Sequence, residues 1–376
     1  MVGSAVAYGL ARRGADVALL DEGDIALRAA RGNFGLIWTL SKDGDMPAYT
    51  AWGQVAVAAW PDFAEAMASA AGHDIGYRRA GGLAFCLSEH EQAERAAQLR
   101  RLHNQLGTSD AVLLDRKQLA ELMPATPLGP SVIGAAFTAG GGHVNPLHLL
   151  KGLHAGLRRH GGRHQPGTPV VAIEPRANGF RLQRADGTTL HAERIVVASG
   201  VATTRLAAMV GLDVPVKPVR GQIIVTERMR PLLPLPASAL RQTEEGTFTI
   251  GVSHEDAGLD IGTTVNELAR MAARALKVLP ALAKVRIVRA WAALRPMTPD
   301  AVPVYAESPS CRGAFVAVCH AGVTLAALHA DTLSAAVHDG ALPACFAPFH
   351  PARFAAPQAV APDAYPLRSA APGPTR

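Results

Sequence analysis

The sequence predicts a mixed α/β fold, in which a Rossmann-like domain of parallel strands is interrupted by an inserted domain with an antiparallel sheet. Three short apolar runs, at residues 16–21, 195–199 and 314–318, have the composition of buried parallel strands. The segments between them read instead as antiparallel strands with turn signals. One domain assembled from separated pieces, with a second sheet domain inserted between them, explains this order.

The predicted domain boundaries follow from where these patterns change. The Rossmann-like domain is expected to comprise residues 1–43, 140–215 and 293–354, and the inserted domain residues 44–139 and 216–292. A chain of 376 residues, 49% of them hydrophobic, is long enough for about two such domains. Residues 355–376 are rich in Pro and Ala without periodicity, which predicts a disordered tail.

The first element is a helix of small and apolar residues from Val2 to Arg13, and a strand that ends in Asp21 follows it. In a dinucleotide-binding βαβ unit, the third glycine lets the helix pack on the sheet and an acid after the second strand binds the ribose. Gly3 and Asp21 occupy these two positions. The first strand and first two glycines of that fingerprint are lacking before Gly3, and an ordinary amphipathic helix and strand is the alternative.

The remaining elements are read from periodicity and from turn residues. Asn145 and Pro146 form a strong helix start, because a capping side chain precedes a proline. Asp186 and Gly187 mark a turn within a meander of strands. The expected helices are at 46–71, 89–106, 145–160, 263–279 and 323–337, and the expected strands of the intervening segments are at 77–87, 170–173, 180–184, 189–191 and 216–252.

Composition excludes several classes of function. The net charge of +6, from 37 basic and 31 acidic residues, is too small and too dispersed for a nucleic-acid binder. The four cysteines form no C-x-x-C pair, so we expect no metal or iron–sulfur site within the chain. The uncharged run 313–330 contains two histidines and a central glycine, so we expect a strand, a turn and a helix rather than a transmembrane span. A cytoplasmic protein, peripheral at the inner membrane if it contacts a membrane, is expected.

Six short segments resemble the D-amino-acid oxidase and glycine oxidase family of FAD-dependent amine oxidoreductases, which includes dehydrogenase subunits for D-amino acids, hydroxyproline and opines. These segments are 28–35, 170–171, 198–200, 217–222, 291–300 and 319–326. The resemblance extends from Val2 to about Phe354, and its last two segments are the most specific. The sequence departs from the family in lacking the first strand and two glycines, and in carrying Ala30 where relatives often have serine.

The resemblance implies that the Rossmann-like domain binds FAD and that the inserted domain binds the substrate. Glycines beside the cofactor would permit a close approach of the backbone. The turn that begins at Gly322 would direct backbone N–H groups toward the negative charge of the reduced flavin. The implied cofactor-binding residues are Gly3, Asp21, Ala30, Arg31, Gly32, Asn33, Gly35, Val171, Ser199, Gly200, Gly322, Val323, Thr324 and Leu325.

Oxidation of an amine requires removal of a hydride from the carbon that bears nitrogen, and flavin N5 can accept it. Arg295 is the predicted clamp for a substrate carboxylate, because a guanidinium grips a carboxylate with two hydrogen bonds; a structural salt bridge is the alternative. His320 is predicted to tune the flavin or contact the substrate, or else to be a buried structural histidine. Arg241 and His254 are weaker candidates for substrate binding. We assign no general base, because a neutral amine needs none.

The predicted function is FAD-dependent oxidation of a C–N bond in a small amino acid or secondary amine that carries a carboxylate. Electrons would pass to oxygen or to a partner, such as an iron–sulfur subunit, and the protein could be an oligomer. One alternative is oxidation of a 2-hydroxy acid on the same fold. The other is a truncated, non-catalytic subunit that does not hold FAD.

Overall fold

The computed structural model describes residues 1–23, 29–40, 46–106, 110–251 and 253–355. In the described part the helices are α1 (Val2–Arg12), α2 (Pro47–Ala58), α3 (Trp60–Ala71), α4 (Glu89–Leu106), α5 (Arg116–Leu122), α6 (Pro146–Arg159), α7 (Thr203–Ala208), α8 (Val265–Val278), α9 (Ala326–Leu328) and α10 (Ser334–Asp339). A π-helical turn, His329–Leu333, joins α9 to α10. From residue 356 onward the predicted disordered tail lies outside the described residues, as do Arg28 and Val252.

The strands form sheets of both the parallel and the antiparallel kind. They are β1 (Ala18–Leu20), β2 (Leu36–Ile37), β3 (Gly82–Cys86), β4 (Ala111–Asp115), β5 (Gly134–Thr138), β6 (Gly142–His143), β7 (Arg163–Gln165), β8 (Val170–Arg176), β9 (Gly179–Arg184), β10 (Thr189–Ala192), β11 (Ile195–Val197), β12 (Lys217–Arg228), β13 (Leu240–Gln242), β14 (Thr247–Gly251), β15 (Ile287–Met297), β16 (Val304–Glu307) and β17 (Ala314–Val318). The predicted mixed α/β fold is confirmed.

The three apolar runs that predicted parallel strands become β1, β11 and β17. β11 pairs with β17 in parallel, with Ile195 opposite Ala314, whereas β1 pairs in parallel with β7. Helix α1 packs closely against the π-helical turn and α10, because Gly9 faces the Ala330 carbonyl at a distance that leaves no room for a Cβ atom. These elements place the beginning of α1 beside the carboxyl ends of the parallel strands.

The antiparallel strands form a larger sheet. β12 lies between β14 and β15, and β13 pairs with β14. The β3–β5–β4 sheet continues this arrangement through a bridge between Leu83 and Ala237. Helices α5 and α8 cover one face of the sheet, where Met271, Ala275 and Val278 of α8 are buried. The prediction of domain boundaries at particular residues stays a prediction.

The structure differs from the sequence prediction in two helices. The expected helix 46–71 is divided into α2 and α3, because Pro61 cannot donate an N–H hydrogen bond and is tolerated only in the first turn of a new helix. The expected helix 323–337 begins at Ala326 and contains the π-helical turn. In the described part of the chain, no helix is both long and apolar enough to cross a bilayer.

Candidate active site

A cavity of 2020 Å³ lies between the parallel strands and the antiparallel sheet. One side, the turn wall, is formed by the beginning of α1, the end of β1, residues 29–30 and 32–34, and the turns after β11 and β17. The other side, the sheet wall, includes Ile223 of β12, Arg295 of β15, and Ser238. The volume exceeds the 300–1,000 Å³ of typical drug-sized pockets, so it accommodates a large cofactor and a small substrate together.

Gly3 and Asp21 of the predicted nucleotide fingerprint both line this cavity. A Cβ atom on Gly3 would lie 3.2 Å from the Cβ of Ala198, so a glycine lets α1 approach the turn after β11. Asp21 follows β1, and its Oδ1 atom accepts a hydrogen bond of 2.9 Å from the amide of Gly23. Lys151 and Arg158 line the same cavity, and their positive charge favours an anionic ligand.

The loop after β1 supplies some of the predicted contacts but not all of them. Ala30, Gly32 and Asn33 line the cavity, whereas Arg31 and Gly35 do not. Asn33 Oδ1 accepts a hydrogen bond of 2.8 Å from the amide of Gly35, which has a φ of +82° and packs against the carbonyl of Val144. Gly35 therefore shapes the loop, and the cavity surface comes from its neighbours.

The turn after β17 is held in place by two hydrogen bonds from elsewhere in the fold. Trp60 Nε1 donates to the carbonyl of Thr324 over 2.8 Å, and Thr324 Oγ1 donates to the carbonyl of Leu36 over 3.2 Å. His320, Gly322, Val323 and Thr324 line the cavity. Leu325 is instead buried in the core, and its amide donates to the carbonyl of Ala321. The turn therefore presents fewer predicted residues to the cavity than the sequence suggested.

The turn after β11 and the strand β8 complete the predicted cofactor contacts. Ser199 and Gly200 line the cavity, whereas Val171 is 40% exposed and does not line it. The neighbouring Val170 lines the cavity instead. The Val171 carbonyl accepts a hydrogen bond of 3.1 Å from Arg205 Nη1.

Arg295 projects from β15 onto the sheet wall. Its guanidinium lies over Gly221, where a Cβ atom would come within 2.4 Å of Cζ and both terminal nitrogens. Arg295 Nη1 donates a hydrogen bond of 2.7 Å to the carbonyl of Ser253. His254 lines the same cavity as Arg295 and His320. Gly221 could have been noticed from the sequence, because a glycine within a strand often marks a close approach.

Arg241 lies apart from these residues. It does not line the large cavity, but a separate cavity of 70 Å³. Its Nη1 donates to the carbonyl of Val144 over 2.8 Å and lies 3.3 Å from His143 Nδ1. Burial lowers the pKa of Arg241 to about 10, and burial together with Arg241 and Arg78 lowers the pKa of His143 to about 4. His143 is therefore neutral near pH 7, and Arg241 contacts the protein itself.

Sequence reasoning did not predict several residues that line the cavity. Arg95 and Gln98 of α4 reach it, and so does His154 of α6. His154 Nε2 lies 3.1 Å from Ser4 Oγ. The pKa of His154 is lowered to about 3, mainly by burial and then by the nearby His164. No sequence signal marks these residues, because only the packing of helices around the cavity brings them there. No cluster of His, Cys, Asp and Glu among the described residues is arranged to hold a metal ion.

The fold and this cavity define an oxidoreductase with a site for a large nucleotide cofactor. The family described as "DAO: FAD dependent oxidoreductase" matches residues 1–336. An opine oxidase subunit from Agrobacterium tumefaciens (strain Ach5) is 38% identical over 364 residues, which cover 96% of this chain and 97% of that protein. The chain therefore belongs to the DAO family of FAD-dependent oxidoreductases. The relatives that it matches support a substrate of the amino-acid or amine type.

Two further similarities agree with this assignment. Hydrogen cyanide synthase subunit HcnC of Pseudomonas aeruginosa PAO1 is 30% identical over 311 residues, covering 79% of this chain and 72% of that protein. The crystal structure of glycine oxidase from Geobacillus kaustophilus superimposes with a TM-score of 0.85 at 26% identity, covering 94% of this chain and 96% of that chain. The predicted family and fold are thereby confirmed.

Proposed function

We propose that this protein oxidises a C–N bond in a small amino acid or secondary amine that carries a carboxylate. The observation that carries the proposal is the placement of Arg295 in the same cavity as the glycine-rich turn wall. A guanidinium stays charged at any physiological pH and binds a carboxylate through two parallel hydrogen bonds. FAD, when bound, supplies the acceptor for the hydride that leaves the carbon next to nitrogen.

The turn wall fits this cofactor. Its small residues leave the backbone accessible, and the acid at the end of β1 is suited to hydrogen bonds with ribose hydroxyls. The residues of this chain that would hold FAD are those predicted residues that line the cavity: Gly3, Asp21, Ala30, Gly32, Asn33, Ser199, Gly200, Gly322, Val323 and Thr324. Arg31, Gly35, Val171 and Leu325 would support this surface from behind.

The sheet wall would bind and orient the substrate. Arg295 would fix the carboxylate, and the direction of the remaining bonds of the substrate would follow from that anchor. Leu259 and Ile261 also line the cavity with apolar side chains that are 72% and 63% exposed, so they would cover a bound substrate only from the solvent side. His254 and His320 line the same cavity as Arg295 and would contact the bound substrate. An amine that binds in its neutral form can lose a hydride without a general base, so no residue is assigned that role.

The names of the relatives favour an opine as the substrate. An opine is a secondary amine whose nitrogen joins the carbon skeletons of two carboxylic acids. The relative with 38% identity is named as part of an opine oxidase, and that with 30% identity as part of hydrogen cyanide synthase. By this analogy, the electrons would leave through a partner subunit, with an iron–sulfur carrier as the expected type. Direct transfer to oxygen, as in an oxidase, is the competing route.

The test is an anaerobic titration of the purified protein loaded with FAD, followed by absorption. We expect the flavin band to bleach with an opine and to remain with the corresponding 2-hydroxy acid. Bleaching by the hydroxy acid alone would replace the proposal with hydroxy-acid oxidation. Protein that takes up no FAD would favour a non-catalytic subunit.

A further inference from the structure

A buried hydrogen-bond network lies behind the Arg295 guanidinium. The carbonyl that accepts the hydrogen bond from Arg295 belongs to Ser253, which is fully buried. Ser253 Oγ accepts a hydrogen bond of 2.6 Å from the amide of Gln222 and donates one of 2.9 Å to Glu255 Oε1. The residue that holds the predicted clamp is thus itself held from two directions.

Glu255 is the centre of this network. Its carboxylate accepts hydrogen bonds from Arg220 Nη2 at 2.7 Å and from Gln222 Nε2 at 2.9 and 3.1 Å, in addition to the bond from Ser253. The Gln222 side chain is fixed in turn, because its Oε1 accepts from the amide of Thr264. The other arm of the Arg220 guanidinium contacts Asp260. Every donor around the carboxylate therefore has a defined position.

The charges of the network are matched. Burial acts to raise the pKa of Glu255, but the hydrogen bonds from Arg220, Gln222 and Ser253 outweigh it, and the pKa is lowered. The Arg220 side chain is only 7% exposed. The Glu255 side chain is 19% exposed, and an ion pair with so little exposure gives little net stability compared with well-packed apolar residues.

An arginine side chain has many rotamers, and a substrate must restrict them on binding unless the protein has already done so. Two features restrict Arg295 in advance, namely the space over Gly221 and the Ser253 carbonyl. Gly221 and Gln222 are neighbours on β12, so both features depend on the same strand. Any displacement of Ser253 would release the guanidinium from its present position.

We propose that Glu255 is a positioning residue for the substrate carboxylate: together with Arg220 and Gln222, it fixes Ser253 and thereby the Arg295 guanidinium. This inference rests on the proposed function, because it requires Arg295 to bind the carboxylate. Glu255 acts through Ser253 and Arg295, so its loss weakens carboxylate recognition and spares the reaction of an amine without a carboxylate.

The first experiment measures binding and steady-state kinetics of Glu255→Gln. We expect the Kd for propanoate, a carboxylate with no nitrogen to oxidise, and the KM for the carboxylate-bearing amine to rise about tenfold, with a smaller change in kcat. A primary amine that lacks the carboxylate should react as it does with the parent. Propanoate binding is measured by calorimetry, so this readout is independent of turnover.

A matched control is available in the same sheet. Glu227, near the opposite end of β12, pairs with Arg286 over 2.7 Å. Glu227→Gln removes a carboxylate from an ion pair on the same strand, one whose arginine is 85% exposed, and should leave the Kd for propanoate unchanged. Ser253→Ala provides a second variant that breaks the link to Glu255 without changing a charge, and a smaller rise in Kd is expected.

A double-mutant cycle separates this inference from the proposed function. If Glu255 acts through Arg295, Glu255→Gln should cause no further rise in the Kd for propanoate when Arg295→Ala is already present. Unchanged propanoate affinity in folded Glu255→Gln or Ser253→Ala protein, with loss of affinity in Arg295→Ala, overturns the positioning role and leaves the proposed function intact. Unchanged affinity in Arg295→Ala overturns both.

Discussion

The turn wall and the sheet wall of the cavity differ in whether backbone or side-chain atoms face the ligand. The turn wall consists largely of backbone and small residues, and Gly3 and Gly322 allow its elements to meet closely. The sheet wall presents a long side chain, Arg295, which donates a hydrogen bond to the carbonyl of Ser253. A backbone surface suits a cofactor that stays constant, whereas a side-chain surface can change with the substrate. The two walls should therefore respond differently to substitution.

The largest expected effect is on the sheet wall. Replacing Arg295 with alanine should lower kcat/KM for a carboxylate-bearing amine by about 10³-fold, equivalent to about 4 kcal/mol, because a charge-assisted bidentate contact is lost. The dissociation constant for FAD, measured by fluorescence quenching, should stay within about twofold of the parent, because the turn wall is intact. Reduction of Arg295→Ala as readily as the parent would refute the clamp.

Acid should affect the turn-wall side through His154. Its pKa is about 3 in the folded protein against an ordinary value of 6.5, so the unfolded chain binds the proton more tightly. The contribution of His154 to the free energy of unfolding is therefore complete above pH 6.5. It is lost as the pH falls from there toward 3, and at pH 5 the loss is about 2 kcal/mol. In urea unfolding at pH 7 and pH 5, His154→Gln should lose less stability on acidification than the parent.

His90 offers the control for this measurement. Its side chain is 82% exposed on α4 and does not line the cavity, so His90→Gln measures the effect of replacing a histidine by glutamine in itself. Equal pH dependence in the parent and His154→Gln would show that this histidine is not held neutral by the fold.

A substitution in α1 tests the close packing beneath the turn wall. A Cβ atom on Gly9 would lie 2.1 Å from the carbonyl oxygen of Ala330, so Gly9→Ala forces the helices apart. The free energy of unfolding should fall by about 2 kcal/mol despite the better helix propensity of alanine. Thermal unfolding measures the effect, and an unchanged or higher Tm would mean that the helices separate without cost.

The smallest effect is expected from the hydrogen bond that fixes the turn after β17. Trp60→Phe removes the donor to the Thr324 carbonyl, and stability should fall by about 1 kcal/mol. Trp291→Phe is the comparison variant, because the buried Trp291 Nε1 has no hydrogen-bond partner among the described residues, so this change removes ring volume but no hydrogen bond. Equal losses in the two variants would assign the effect to ring volume rather than to the hydrogen bond.

The sequence predicted some elements of the fold and missed others. The capping of α6 by Asn145 was readable because the interaction is local, and its side chain accepts hydrogen bonds from Leu147 and His148. The strands β4 and β5 and helix α5 were not predicted as separate elements, although Asp115 and Gln118 form a capping box at the start of α5. Pro61 is a sequence signal for the division between α2 and α3, but the apolar periodicity on both sides predicted one continuous helix.

By itself, the sequence determined the mixed α/β fold, the family and the residues that line much of the turn wall, since these depend on glycines, strand ends and turns that are local in the chain. Only the tertiary structure decided that Arg241 contacts His143, that Val170 rather than Val171 lines the cavity, and that a network around Glu255 supports Arg295. The physical reason is that side-chain contacts depend on register and crossing geometry between distant segments. A local pattern specifies an element, but not the partner that its side chains will meet.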